Sequence, residues 1–181
     1  NAIICSVVGN DKAGNQLVEL LSENHISAKG LVFSTERQTT VKTRIIGNNQ
    51  HLLRIDAEQT NDILEEEGLA LIRLVESIIS ESKIDAIIFE DYNKGVLTEL
   101  VISEIVALAN KNGVLTTVDP KHKNFFAYKN VTLFKPNLKE LKEGVNRSFS
   151  FQETDKFQDA VTILEQKLNN QISFITLSEN G

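Results

Sequence analysis

The chain has 181 residues, 41% hydrophobic and 24% charged, which is enough for one globular domain with a real core. Its formal charge of -6 at pH 7 argues against a nucleic-acid surface, which needs a basic stripe. With one cysteine there is no disulfide framework. No run reaches the roughly 20 apolar residues of a membrane span and no basic leader opens the chain, so a reducing cytoplasm is the expected location.

Residues 2–8 (AIICSVV) are a continuous apolar run containing Cys5, the pattern of a strand buried on both faces. The chain has no methionine, begins inside this run and stops at Gly181 straight after another apolar run, so it reads as an excerpt of a longer protein. GNDKAG follows, with Gly9, Asp11 and Gly14. It is neither a G-x-G-x-x-G fingerprint nor a P-loop, and a structural turn with Asp11 capping the next helix is the better reading. That helix is expected over 13–24, with Leu17, Leu20 and Leu21 as its stripe.

Residues 31–34, 40–46 and 52–55 are short and β-branched or alternating. Gly47-Asn48-Asn49-Gln50 joins the last two with hairpin chemistry. They are expected to form an antiparallel insertion, a β flap over about 31–57. Lys42 and Arg44 share one strand face, as do Arg54 and Asp56. Whether all four share a face depends on the hairpin register, which the sequence leaves open.

From residue 61 the pattern alternates regularly. Helices are expected over 63–80, 97–110, 138–143 and 154–168, and strands over 84–89, 114–118, 131–134 and 172–177. The acidic run Glu65, Glu66 and Glu67 reads as a solvated helix start favoured by the helix dipole. Strand and helix at this spacing mean βαβ units. The fold class is therefore α/β, a three-layer α/β/α architecture with a mostly parallel sheet and a small β flap.

In such sheets ligands bind beyond the carboxyl ends of the strands. Five strands end in polar clusters (GNDKAG, EDYNKG, DPKHK, KPNLKE and TLSENG), several with lysine, which suggests a common rim for something anionic. Pro120 fixes an extended or turn geometry that aims Lys121 outward. Asn137 with Glu140 three residues on is a variant capping box, and equally the geometry of an acid ordering water around Mg²⁺; spacing alone does not choose. His25, His51 and His122 have no zinc-site spacing, and no G-x-S-x-G elbow occurs.

In this order the pieces resemble the ribokinase (phosphofructokinase-B) family of sugar kinases. NLKE is similar to that family's N-x-x-E motif. TLSENG is similar to its T-x-G-x-x-G segment, with Thr176 and Gly181 matching and Ser178 in place of the first glycine. Within the family, TTVKTRIIGNNQHLLRIDAEQ, DYNKGVL and residues 119–140 most resemble the heptose 7-phosphate kinases of lipopolysaccharide-core synthesis.

The resemblance implies ATP-dependent phosphorylation of the anomeric hydroxyl of D-glycero-β-D-manno-heptose 7-phosphate to the 1,7-bisphosphate, on the route to ADP-heptose. It implies ATP and Mg²⁺ as cofactors. Lys42, Arg44, Arg54, Asp91 and Lys94 would face the sugar phosphate. Lys121, Asn137, Glu140, Thr176 and Gly181 would face nucleotide and Mg²⁺, with Glu140 reaching the metal through water. A homodimer through the flap strands is also implied. The family's early G-G segment with its sugar-binding aspartate, and its late G-A-G-D motif with the catalytic aspartate, are both absent from these 181 residues. The 181 residues are therefore expected to be inactive alone, with activity in a longer parent chain. Two alternatives stay open: a family kinase of a hexose phosphate or nucleoside, of which the basic flap favours the phosphorylated substrate, and a non-catalytic sugar- or nucleotide-binding relative.

Overall fold

In the computed structural model, which describes residues 2–180, the first apolar run becomes β1 (Ile3–Gly9). It pairs in parallel with β2 (Ser27–Ser34) through the crossover helix α1 (Lys12–Glu23), a βαβ unit. Asp11 starts α1. Its backbone is extended and its Oδ1 accepts the Gly14 N–H at 2.8 Å, so the turn is a helix cap as expected. Val8, Leu21 and Leu31 form the buried centre, with Leu17, Val18, Ile26 and Ala28 packed against it. Ile4 and Cys5 lie exposed, whereas Val7 and Val8, which point to opposite faces, are both 6% exposed, so the strand is buried on both faces only toward its carboxyl end.

The parallel β1–β2 pairing also corrects the flap. Residues 31–34 belong to β2, and the antiparallel ribbon is only β3 (Val41–Gly47) with β4 (Gln50–Ala57). Asn48 and Asn49 both have positive φ, 50° and 59°, as a two-residue type I′ turn requires. The register pairs Lys42 with Asp56 and Arg44 with Arg54. Residues directly opposite share a face, so all four stand together, and Val41, Ile45, Leu53 and Ile55 stand on the reverse. α2 (Glu65–Glu81) follows, burying Leu71, Val75 and Ile78 at helical spacing. These elements form one compact unit, Asn1–Ile78 together with Lys94–Val96.

The second unit comprises Ile79–Asn93 and Leu97–Gly181. Its sheet is fully parallel in the order β5 (Ala86–Glu90), β6 (Leu115–Asp119), β7 (Leu133–Phe134) and β8 (Ile172–Ser173). α3 (Glu99–Lys111) connects β5 to β6, and α4 (Leu138–Val145) and α5 (Thr154–Leu168) lie between β7 and β8. A sequential strand order with right-handed crossovers puts all three helices on the same face. Burial follows suit. Phe89, Val118 and Phe134 are at most 3% exposed, with Val101, Ile102, Tyr128, Leu141, Leu164 and Leu168 around them. On the opposite face Ile88 is 64% exposed, Leu115 55% and Ile172 51%. The strands expected to be buried on both faces are therefore covered on one face within this unit.

Short strands here are supplemented by side chains. Thr116 and Thr132 each accept the other's backbone N–H through their hydroxyl oxygens, at 3.1 and 2.9 Å, which satisfies a Thr116 with no exposure. The last strand, expected over 172–177, keeps ladder pairing only at Ile172–Ser173. Thr176 joins Asn137 in an isolated parallel bridge instead.

Candidate functional site

The first unit gathers most of the residues expected at a sugar phosphate. Lys42 Nζ lies 3.4 Å from both Asp56 Oδ2 and Glu58 Oε2. Arg54 Nε lies 3.0 Å from Asp56 Oδ1, an ion pair without hydrogen-bond alignment. Arg44 faces Arg54 directly across the ladder. Like charges at that spacing are unfavourable unless an anion sits with them. Lys94 joins the same set from far along the chain, through an ion pair between its Nζ and Glu58 Oε1 at 2.5 Å. The hydrogen bond from Lys94 is the main cause that holds the Glu58 carboxyl below its ordinary value, against desolvation, with Lys42 adding to it.

The loop that carries Lys94 is held by its backbone. Arg37 Nη2 donates to the Lys94 carbonyl at 2.8 Å and to the Gln59 carbonyl at 3.4 Å. The Ile63 N–H donates to the Gly95 carbonyl at 3.0 Å. Gly95 has a φ of +77°, and a Cβ there would lie 1.9 Å from the Asn61 oxygen, so close approach as well as conformation demands glycine. Arg37 is the residue that sequence reasoning missed. Among the described residues its buried Nη1 meets no acceptor, and the hydrogen bonds of the guanidinium go to two carbonyls. It lines a cleft of about 220 Å³ with Val7, Val8, Thr39 and Lys94. A cation so placed and lacking a counter-anion favours an anionic ligand. Nearby, Asp11 Oδ2 accepts the Thr39 N–H at 2.8 Å. That bond first and the Gly14 N–H second keep its carboxyl below the ordinary value.

In the second unit Asp91, expected at the sugar phosphate, is held by internal hydrogen bonds. It is 3% exposed. Its Oδ1 accepts the Asn93 N–H at 2.7 Å and its Oδ2 accepts the Tyr128 hydroxyl at 2.8 Å. Both oxygens are thus engaged inside the fold, and Lys94 pairs with Glu58, not with Asp91. Burial first, and then the Asp91 charge and hydrogen bond, push the Tyr128 phenol far up, so it stays a neutral donor.

Asn137 and Glu140 form a complete capping box at the start of α4: Asn137 Oδ1 accepts the Glu140 N–H and Glu140 Oε2 accepts the Asn137 N–H, both at 2.9 Å. The other oxygen of Glu140 takes Lys121 Nζ at 2.7 Å. Lys121 also lies 3.5 Å from Asp119, which Lys135 approaches at 3.3 Å. Burial alone would lower the Lys121 pKa, but Glu140 and then Asp119 outweigh it and hold the ammonium above its ordinary value. The Thr176 carbonyl accepts the Leu138 N–H at 3.1 Å, so Lys121, Asn137, Glu140 and Thr176 lie along one stretch of the sheet rim. Gly181 lies outside the described residues.

Among the described residues no three His, Cys, Asp or Glu side chains converge on a metal position. Both Glu140 oxygens already have protein partners, so a metal ion beside it would meet this carboxylate through water unless those bonds gave way. No helix among the described residues is long and apolar enough to cross a membrane.

A family model described as pfkB family carbohydrate kinase matches residues 1–181. Among curated proteins the chain is 38% identical over 178 residues to the Bifunctional protein HldE of Aliarcobacter butzleri, covering 98% of this chain and 37% of that protein. It is 36% identical to the Bifunctional protein HldE of Wolinella succinogenes, covering 100% and 37%. The chain thus spans little more than a third of the length of these relatives. Among solved structures, the tetrameric inhibited form of phosphofructokinase-2 from Escherichia coli superposes with a TM-score of 0.72 at 20% identity, over 99% of this chain and 57% of that one. Ribokinase from Giardia lamblia superposes at 0.67 and 14% identity, over 99% and 54%. The likeness shows the fold, a three-layer α/β arrangement with a parallel sheet.

Proposed function

The chain belongs to the pfkB family of carbohydrate kinases, and from that premise we propose that the protein phosphorylates a heptose 7-phosphate at its anomeric hydroxyl, using MgATP. The acceptor is D-glycero-β-D-manno-heptose 7-phosphate and the product its 1,7-bisphosphate, a step toward ADP-heptose. The observation that carries this reading is the cationic face of the ribbon. Lys42, Arg44 and Arg54 stand together, Lys94 is tied to the same acidic pair's Glu58, and Arg37 has an unanswered N–H group in the adjoining cleft. That much positive charge suits an acceptor that already bears a phosphate and has no use for a neutral sugar or nucleoside.

The chemistry asked of these residues is positioning and charge neutralisation, which dominate phosphoryl transfer. The ribbon cations and Lys94 hold the acceptor's phosphate. Lys121, with Glu140 and Asp119 fixing its ammonium, serves the nucleotide phosphates, and Asn137, Glu140 and Thr176 border them. Asp91 acts one step back, locking the Asn93 turn and Tyr128. In the reaction the anomeric oxygen bonds to the γ-phosphorus, the bond from that phosphorus to ADP breaks, and the hydroxyl proton passes to a base. No G-A-G-D motif occurs in these 181 residues, so that base lies elsewhere in the whole protein and residues 1–181 alone do not turn over. The apolar reverse face of the ribbon, with Val41, Ile45, Leu53 and Ile55 exposed, is covered by the ribbon of a second copy.

The test is ADP release by the intact protein against a panel of sugar phosphates, free sugars and nucleosides. Turnover is expected with the heptose 7-phosphate. Turnover with a hexose phosphate or nucleoside but not with the heptose would sink the reading.

A further inference from the structure

Glu58 follows β4 by one residue, and none of the roles above falls to it. Its side chain is one-fifth exposed, its Oε1 takes Lys94 and its Oε2 lies 3.4 Å from Lys42. One carboxylate thus spans an ammonium from the ribbon and an ammonium from a loop 36 residues further on. The local charge is far from balanced. Among the described residues, Arg37, Lys42, Arg44, Arg54 and Lys94 are met by two carboxylates, Asp56 and Glu58, in the contacts of this cluster.

An oxyanion that binds Lys94 and Lys42 shares their ammonium charge with Glu58 and is repelled by its carboxylate, although each ammonium keeps further N–H donors to offer. A neutral hydroxyl is a poor competitor for the two ammonium groups, because charge-assisted hydrogen bonds are about twice as strong as neutral ones. A phosphate dianion competes well, and the surplus of cations accommodates its charge.

We propose that Glu58 is a specificity-determining residue of the acceptor site: its carboxylate stands on Lys94 and Lys42 in the place of the acceptor's phosphate, so that only an acceptor bearing a phosphate dianion competes with it. The proposal rests on the reading of the ribbon face as the acceptor's phosphate site. It makes Glu58 an internal competitor, not a support for the lysines, and the two roles predict opposite signs. Glu58→Gln keeps the shape and an oxygen for Lys94 but removes the charge. A support so weakened lowers phosphate affinity; a competitor so weakened raises it.

The experiment is calorimetric titration of the intact protein with inorganic phosphate at about pH 8, where phosphate is dianionic. The Glu58→Gln protein is expected to bind phosphate about tenfold more tightly than the native protein, the scale of removing one charge a few ångströms from a dianion near a protein surface. Glu58→Asp, shorter by one methylene, is expected to show a smaller gain, and it decides the matter if Glu58→Gln does not fold. Unchanged or weaker phosphate binding in the variants, with binding by the native protein intact, overturns the role of Glu58 alone. Absence of phosphate binding in the native protein and both variants removes the acceptor-site reading itself, and this proposal with it.

Discussion

Lys94 is held at both ends, its ammonium by Glu58 and its carbonyl by Arg37. Replacing it with alanine in the intact protein should raise the KM for the sugar phosphate about 10- to 100-fold, the scale of one charged hydrogen bond, and leave the KM for ATP little changed. Steady-state kinetics with each substrate varied in turn checks this, and the reverse pattern would move Lys94 to the nucleotide. Gly95→Ala should cost at least about 1–3 kcal/mol, because a left-handed backbone and the Asn61 oxygen both resist a Cβ; an unchanged melting temperature would show that this close approach is not kept in solution. That Lys42 and Arg44 share a strand face was legible from alternation alone, whereas their place at a sugar phosphate came only from the family resemblance. For Asp91 the sequence offered a substrate-facing role, and nothing local reveals that Tyr128, 37 residues on, occupies its second oxygen. Arg37 carried no signal, being a single basic residue between Glu36 and Gln38 outside any periodic run.

At the scale of elements, the two-asparagine turn was the decisive piece of sequence. It fixes the hairpin, and the hairpin fixes which residues oppose each other, yet the register itself depended on where pairing began and on a bulge between Ile45 and Ile46. Residues 31–34 were assigned to the flap because a short β-branched strand reads alike in parallel and antiparallel company. Only pairing with β1 separates them. The end of α4 fell two residues beyond the one expected, because it stops at Asn146 in left-handed conformation where glycine would have been the plainer signal, whereas α5 ends at Leu168 as expected, ahead of a left-handed Asn169. A two-stranded ribbon is marginal by itself, and its apolar face invites a partner. Leu53→Glu, which puts a charge at the middle of that face, should convert a dimer to a monomer in analytical ultracentrifugation. A native protein that is already monomeric at high concentration would rule out the paired ribbons.

For the molecule as a whole, the α/β class and nearly every element could be read from hydrophobic periodicity. The division into two units could not, because it depends on three residues, Lys94–Val96, belonging with the first unit while their flanks belong with the second. Acid stability is a property at this scale. Asp11, Glu58, Glu153 and Glu179 all have carboxyl pKa values lowered in the folded state, chiefly by backbone N–H groups at Asp11 and Glu179 and by lysines at Glu58 and Glu153. Such groups bind fewer protons folded than unfolded, so their stabilisation is present above the unfolded value of about 4 and is lost as the pH falls through the lower folded values. Chemical denaturation should therefore give flat stability from neutrality to about pH 5 and a decline below about pH 4. A midpoint indifferent to pH between 5 and 3 would contradict this. Finally, the bare face of the four-stranded sheet, with Ile88, Leu115 and Ile172 open to water, bears on how the polypeptide can be handled. Expressed by itself, this stretch should stick to itself, light up an apolar fluorescent dye while still folded, and need detergent or a longer chain to stay in solution.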